Sequence, residues 1–131
     1  MKNIINANKF FPVLITKKLE ETKQFYTSLL GCAVVFDSDW YVQLVSPKGI
    51  EIALFIEGHS AMPDHLPHQA FEGNGIVFTF DVENVDEEYK KVTETSIKVV
   101  YEIKSEDWGQ RHFMIQDPNG TVIDIVQEPE Q

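Results

Sequence analysis

The stretch Leu19-Glu20-Glu21-Thr22-Lys23-Gln24-Phe25-Tyr26-Thr27-Ser28-Leu29-Leu30-Gly31 decides how the rest of the chain is parsed. Its apolar positions 19, 25, 26, 29 and 30 follow the spacing of one helical face, and Gly31 suits the position just past a helix end. Upstream, residues 11–15 read as a short strand. Downstream, extended runs at 33–36 and 40–45 flank the acidic turn Asp37-Ser38-Asp39, and a third at 51–56 follows the turn Ser46-Pro47-Lys48-Gly49. The second half repeats this order. Residues 76–82 alternate as a strand, and 85–92 form a helix with Val85, Tyr89 and Val92 on one face. Extended runs follow at 97–103, 111–116 and 121–127, the last preceded by Asp117-Pro118-Asn119-Gly120. Two strand-helix-strand-strand-strand units imply an α+β fold of two tandem βαβββ modules, at about 9–57 and 75–128. The Gly-, Pro- and His-rich stretch 58–74 links them.

Composition narrows the function. The chain has 131 residues, enough for one domain with a real core. Its 43% apolar and 24% charged residues are globular values. Acidic residues outnumber basic ones 21 to 11, for a formal charge of -10. That balance repels phosphate backbones and anionic lipid, so neither nucleic acid nor a membrane is an expected partner. Cys32 is the sole cysteine and has no internal disulfide partner. No apolar run approaches the roughly 20 residues of a membrane helix, and the start lacks a secretory apolar region. The expectation is a soluble cytoplasmic protein.

Phe25-Tyr26 followed by Leu30-Gly31, with the late Asp117-Pro118-Asn119-Gly120, resembles the vicinal oxygen chelate superfamily. That group includes glyoxalase I, extradiol dioxygenases, and fosfomycin- and bleomycin-resistance proteins, and the likeness runs from about Phe11 to Glu128. It implies that the modules form a cupped mixed sheet around a cavity. Within the group, Pro12-Val13-Leu14, Phe36-Asp37-Ser38-Asp39-Trp40 and Trp108-Gly109 before Phe113 most resemble bleomycin-resistance proteins. The spacing from Trp108 to Asp117 is one residue longer than in the drug-binding members, so no drug identity is carried over.

The enzymes of this superfamily hold a divalent metal with one His, Gln or Glu from each of four strands. The first position lies fourteen residues before the Phe-Tyr pair, at Phe11, and the fourth lies four residues after the turn glycine, at Asp124. Repeat offsets of 66 and 71 residues place the other two at Val77 and Ala53. Three apolar side chains cannot ligate a hard or borderline cation, so neither a metal nor any other cofactor is expected. His59, His65 and His68 in the linker match no convergent spacing, and His112 faces either the cavity or solvent.

Most of the fifteen aromatic residues belong to the core, including Phe25, Tyr26, Phe78 and Phe80. Trp40 follows two aspartates, and Trp108 sits in the polar segment Ser105-Glu106-Asp107-Trp108-Gly109-Gln110. Aromatic rings flanked by carboxylates suit a planar or cationic ligand, by stacking and by a negative rim. The candidate ligand-binding residues are therefore Trp40, Trp108, Phe36, Asp37, Asp39, Phe55, Arg111 and Phe113, with no catalytic residue among them. The leading expectation is a non-catalytic small-molecule binding and sequestration protein, its groove shared between the subunits of a homodimer. The alternatives are a metal-dependent lyase, isomerase or dioxygenase, and a module that serves as a protein partner.

Overall fold

The computed structural model describes residues 3–129. Ten elements follow in chain order: β1 (Val13–Thr16), α1 (Leu19–Leu30), β2 (Ala33–Asp37), β3 (Tyr41–Val45), β4 (Glu51–Ile56), β5 (Val77–Asp81), α2 (Val85–Thr93), β6 (Lys98–Ser105), β7 (Arg111–Gln116) and β8 (Val122–Gln127). This is the expected α+β pattern of two tandem βαβββ modules. The chain divides after Phe71 into two compact units. The expected linker 58–74 therefore belongs mostly to the first unit. Gly58 N–H donates to His68 O, Phe71 N–H donates to Ile15 O of β1, and the Ala70 N–H meets the Glu57 carboxylate.

The first unit carries a four-stranded mixed sheet ordered β1-β4-β3-β2. β1 runs parallel to β4, with Val13 opposite Ala53 and Ile15 opposite Phe55, while β3 is antiparallel to both β4 and β2. Helix α1 packs on β3 and β4. Side chains alternate between the faces of a strand, so one parity packs beneath the helix: Leu14, Val42, Leu44, Ile52 and Leu54, all buried. Tyr26 is completely buried, with Phe25 edge-on at 5.0 Å. Glu20 and Glu21 occupy the first turn of α1, where the helix dipole favours negative charge. Gly31 ends the helix in the left-handed region at φ 68°, which a residue with a Cβ adopts only at a cost. β1 begins two residues later than expected. Phe11 and Pro12 precede it, and the Pro12 carbonyl accepts from Ala53 N–H.

The second unit repeats the order as β5-β8-β7-β6, with β5 parallel to β8. Phe113, Ile115, Ile123 and Ile125 share the face under α2, and Phe78 and Phe80 pair across with Ile123 and Ile125. α2 starts at Asn84, whose side chain accepts from Glu87 N–H, with acidic residues in its first turn and Lys90 and Lys91 in its last. β6 extends to Ser105, and its register with β7 shifts twice, between Val99 and Tyr101 and between Tyr101 and Lys104. Those irregularities re-aim the strand end next to His112. Among the described residues, no helix is long and apolar enough to cross a membrane.

Candidate functional site

The strand parity that buries Val42 and Leu44 beneath α1 turns Tyr41, Gln43 and Val45 to the opposite face of the first sheet. Ala53 and Phe55 of β4 lie beside them, because Gln43 pairs with Ala53 and Tyr41 with Phe55. A pocket of about 410 Å³ opens here, lined by Phe36, Trp40, Tyr41, Gln43, Phe55 and Ala61. Trp40 meets the rings of Tyr41, Phe55 and His59. The indole meets Phe55 edge-on at 5.6 Å and lies almost parallel to the His59 ring, 4.2 Å away at 8°. Phe36 meets Tyr41 edge-on at 5.9 Å. Segment 57–71 closes the side of this face, which is how His59 and Ala61 reach it.

The polar edge of the pocket is a chain of hydrogen bonds. Tyr41 Oη donates to Gln43 Oε1 at 3.1 Å, the Gln43 amide donates to the Glu51 carboxylate, and Lys9 Nζ donates to both Glu51 oxygens at 3.1 and 3.0 Å. Burial, and then the nearby Glu51 charge, push the Tyr41 hydroxyl above its ordinary pKa, so it remains a donor at neutral pH. Hydrogen bonds from Gln43 and then Lys9 hold the Glu51 carboxyl below its ordinary value.

The second sheet uses the matching face differently. His112 stands where Tyr41 stands in the first module and is almost wholly buried. Its Nδ1 lies 2.8 Å from Asp124 Oδ1 and its Nε2 lies 2.8 Å from Glu106 Oε2. Tyr101 Oη donates to the same Glu106 oxygen at 2.9 Å, and Lys104 Nζ pairs with the other at 3.3 Å. Two carboxylates flanking one imidazole favour its doubly protonated form, in which each nitrogen donates. Burial opposes that charge, but the hydrogen bonds and charges of Glu106 and Asp124 outweigh it and raise the His112 pKa above 6.5.

The structure sorts the residues singled out by the sequence. Trp40, Phe36 and Phe55 come together in the pocket of the first unit. Trp108 lies in the second unit, between β6 and β7. It is 65% exposed, with its Nε1–H donated to Gln110 Oε1 at 2.8 Å. Phe113 is a correction: it is fully buried, packed against Tyr89 of α2 at 4.9 Å, because its strand parity points it at the helix. Arg111 shares that parity and is engaged at 2.9–3.3 Å by Asp86 in the first turn of α2. Asp37 pairs with Lys23 of α1 at 2.7 Å, whereas Asp39 is exposed in the β2–β3 turn. Of the linker histidines, His59 joins the aromatic cluster while His65 stays exposed and His68 Nδ1 sits 2.9 Å from Leu66 O. Tyr41, Gln43, Ala61 and the Lys9–Glu51 pair were missed. The alternation Tyr41-Val42-Gln43-Leu44-Val45 is the signal that identifies the first two.

The donor set does not fit the divalent metal that the fold implies. Phe11 has no donor and carries Lys9 Nζ 5.3 Å from its ring centroid. Ala53 is fully buried without a donor, Val77 is exposed and aliphatic, and Asp124 is engaged by His112. Among the described residues, no group of three or more His, Cys, Asp or Glu side chains is arranged to hold a metal ion. The His112 cluster is no exception, because both ring nitrogens face carboxylates.

Two consequences of the His112 geometry can be measured. Nitrogen-15 NMR should show a His112 midpoint above 6.5 that falls in Glu106→Gln. The raised His112 pKa contributes stability fully present below 6.5 and lost as pH rises through the folded midpoint. Glu106, held below 4.5 chiefly by its hydrogen bond from His112, contributes stability present above 4.5 and lost as pH falls through its folded value. The advantage of the wild type over His112→Gln should therefore peak between 4.5 and 6.5 in pH-dependent denaturation. A flat profile would contradict the assignment.

Residues 10–130 match the family described as a glyoxalase-like domain. A search of curated proteins finds no significant match. Solved structures with the same fold include a glyoxalase/bleomycin resistance protein/dioxygenase from Nocardioides, at 20% identity and a TM-score of 0.78, covering 96% of this chain and 87% of that one. A lactoylglutathione lyase from Agrobacterium tumefaciens aligns at 19% identity and a TM-score of 0.70, covering 92% and 94%. TioX from Micromonospora sp. ML1 aligns at 12% identity and a TM-score of 0.72, covering 93% and 99%. With a family match across almost its whole length and paired βαβββ modules, the chain belongs to the glyoxalase-like family of the vicinal oxygen chelate superfamily.

Proposed function

We propose that this protein binds and sequesters a planar aromatic small molecule, as bleomycin-resistance-type proteins do, without transforming it. The observation that carries the reading is the pocket walled by Trp40, Phe55, Tyr41 and Phe36. Its lining is mostly aromatic, with the Tyr41 hydroxyl and the Gln43 amide among its polar groups. Such a lining suits stacking a ring and fixing its orientation. The metal-dependent alternative needs three donors that the slot residues do not offer. The Trp40–His59 stack supports the same reading, since a flat π-system already rests on the indole.

Titration with planar aromatic compounds should quench or shift the Trp40 emission. Trp40→Ala should weaken binding by about 1–3 kcal/mol, the cost of truncating one aromatic anchor. Unchanged affinity in Trp40→Ala would remove the pocket from consideration.

A melting temperature unaffected by EDTA is the second expected outcome, because without a tight site there is no occupancy for a chelator to withdraw. A fall of several degrees, reversed by one particular metal, would favour the enzymatic alternative.

The proposal includes a homodimer. β2 lies at a sheet edge with Val35 and Phe36 more than half exposed, and an uncovered apolar edge invites pairing. Light scattering should give about twice 15.0 kDa at micromolar concentration. A mass of 15.0 kDa throughout would count against it.

A further inference from the structure

The aromatic pocket does not end at its rings. Gln43 lines it, and the same amide donates to the Glu51 carboxylate on the same sheet face. Glu51 is largely covered, with 10% of its side chain exposed, yet its ammonium partner comes from the surface. Lys9 precedes β1, and its side chain is 59% exposed. Its Nζ lies 3.0–3.1 Å from both carboxylate oxygens and 5.3 Å from the centroid of the Phe11 ring. A covered carboxylate beside an aromatic pocket is thus neutralised by a solvated lysine from a segment outside the sheet.

Resting on the proposed function, we infer that Glu51 is a cation subsite of the pocket, occupied by the protein's own Lys9 until ligand arrives. The ligand class is a bicyclic or tricyclic aromatic ring bearing an alkyl ammonium or guanidinium arm. The ring stacks on Trp40 in place of, or beside, His59. The arm passes Gln43 and delivers its N–H donors to the Glu51 oxygens that Lys9 vacates. The exchange keeps the covered carboxylate paired throughout, so no uncompensated charge is left on the sheet face. Lys9 returns to water at little cost, because an exposed ammonium gains modestly from one ion pair. This also moves the cation recognition expected of Asp37 elsewhere, since Asp37 is engaged by Lys23 on α1.

The test uses two fluorescent probes sharing one ring: dansylamide, which is neutral, and dansylcadaverine, which adds a five-carbon ammonium arm. Wild-type protein should bind dansylcadaverine about fivefold more tightly, the worth of one partly screened ion pair. Glu51→Gln, which keeps the size of the side chain and one acceptor oxygen but removes the charge, should bring the two affinities together. Lys9→Ala should tighten dansylcadaverine alone, by a few fold, because the internal competitor is gone. If both probes bind but their ratio survives Glu51→Gln, the cation subsite is overturned and the aromatic pocket stands. If neither probe binds and Trp40 emission does not respond, the pocket reading falls and the subsite with it.

Discussion

Each module has one helix to cover a sheet with two faces, and the rest of the structure answers that constraint. Under α1 the answer is ordinary: Leu14, Val42, Leu44, Ile52 and Leu54 form a dry layer against the helix. Among the described residues, neither unit has a second helix of its own for the other face. The side chains there must cover one another, accept water or accept a ligand, because a large exposed apolar surface is unfavourable. In the first unit segment 57–71 and the ring cluster around Trp40 cover part of this face and leave an open pocket.

The two modules solve the same problem with different chemistry at matching positions. Tyr41 faces Phe55 across β3 and β4, and His112 faces Val126 across β7 and β8, in corresponding registers. One position became the wall of an aromatic pocket. The other became the centre of a charge cluster in which Glu106 and Asp124 flank a single buried imidazole while Tyr101 and Lys104 hold Glu106. A cluster with every member partnered rigidifies a sheet face but has little capacity left to bind a newcomer. In the first unit the rings present flat faces to the pocket, and the nearby Glu51 carboxylate is held by an exposed lysine.

The same constraint explains why the side chains at the positions the fold assigns to a metal do not fit one. In the chain, the positions that the resemblance assigns to oxygen and nitrogen donors hold Phe11, which lies just before β1, Ala53 and Val77, and the remaining Asp124 is engaged by His112. The backbone geometry survives because it depends on strand pairing and on the layer beneath the helices. Ligand chemistry depends on the other parity of the same strands, which the core does not constrain.

What the sequence by itself determined was the order and type of the elements, because strands and helices announce themselves through periods of two and 3.6 and through residues such as Gly31 and Asn84. The repeat, both helices and every strand were legible to within one residue of their ends, apart from β1 and β6, each of which is off by two at one end. The candidate site was legible in part: Trp40, Phe36 and Phe55 converge, while Phe113 and Arg111 lie on the helix face and Asp37 is held by α1. The errors share one cause. A strand's face is a matter of parity, and a shift of one residue exchanges core for surface. Only the tertiary structure decided that parity, together with the contacts that join distant segments, such as Lys9 to Glu51 and His59 to Trp40. Those contacts form between side chains far apart along the chain, where no local period records them.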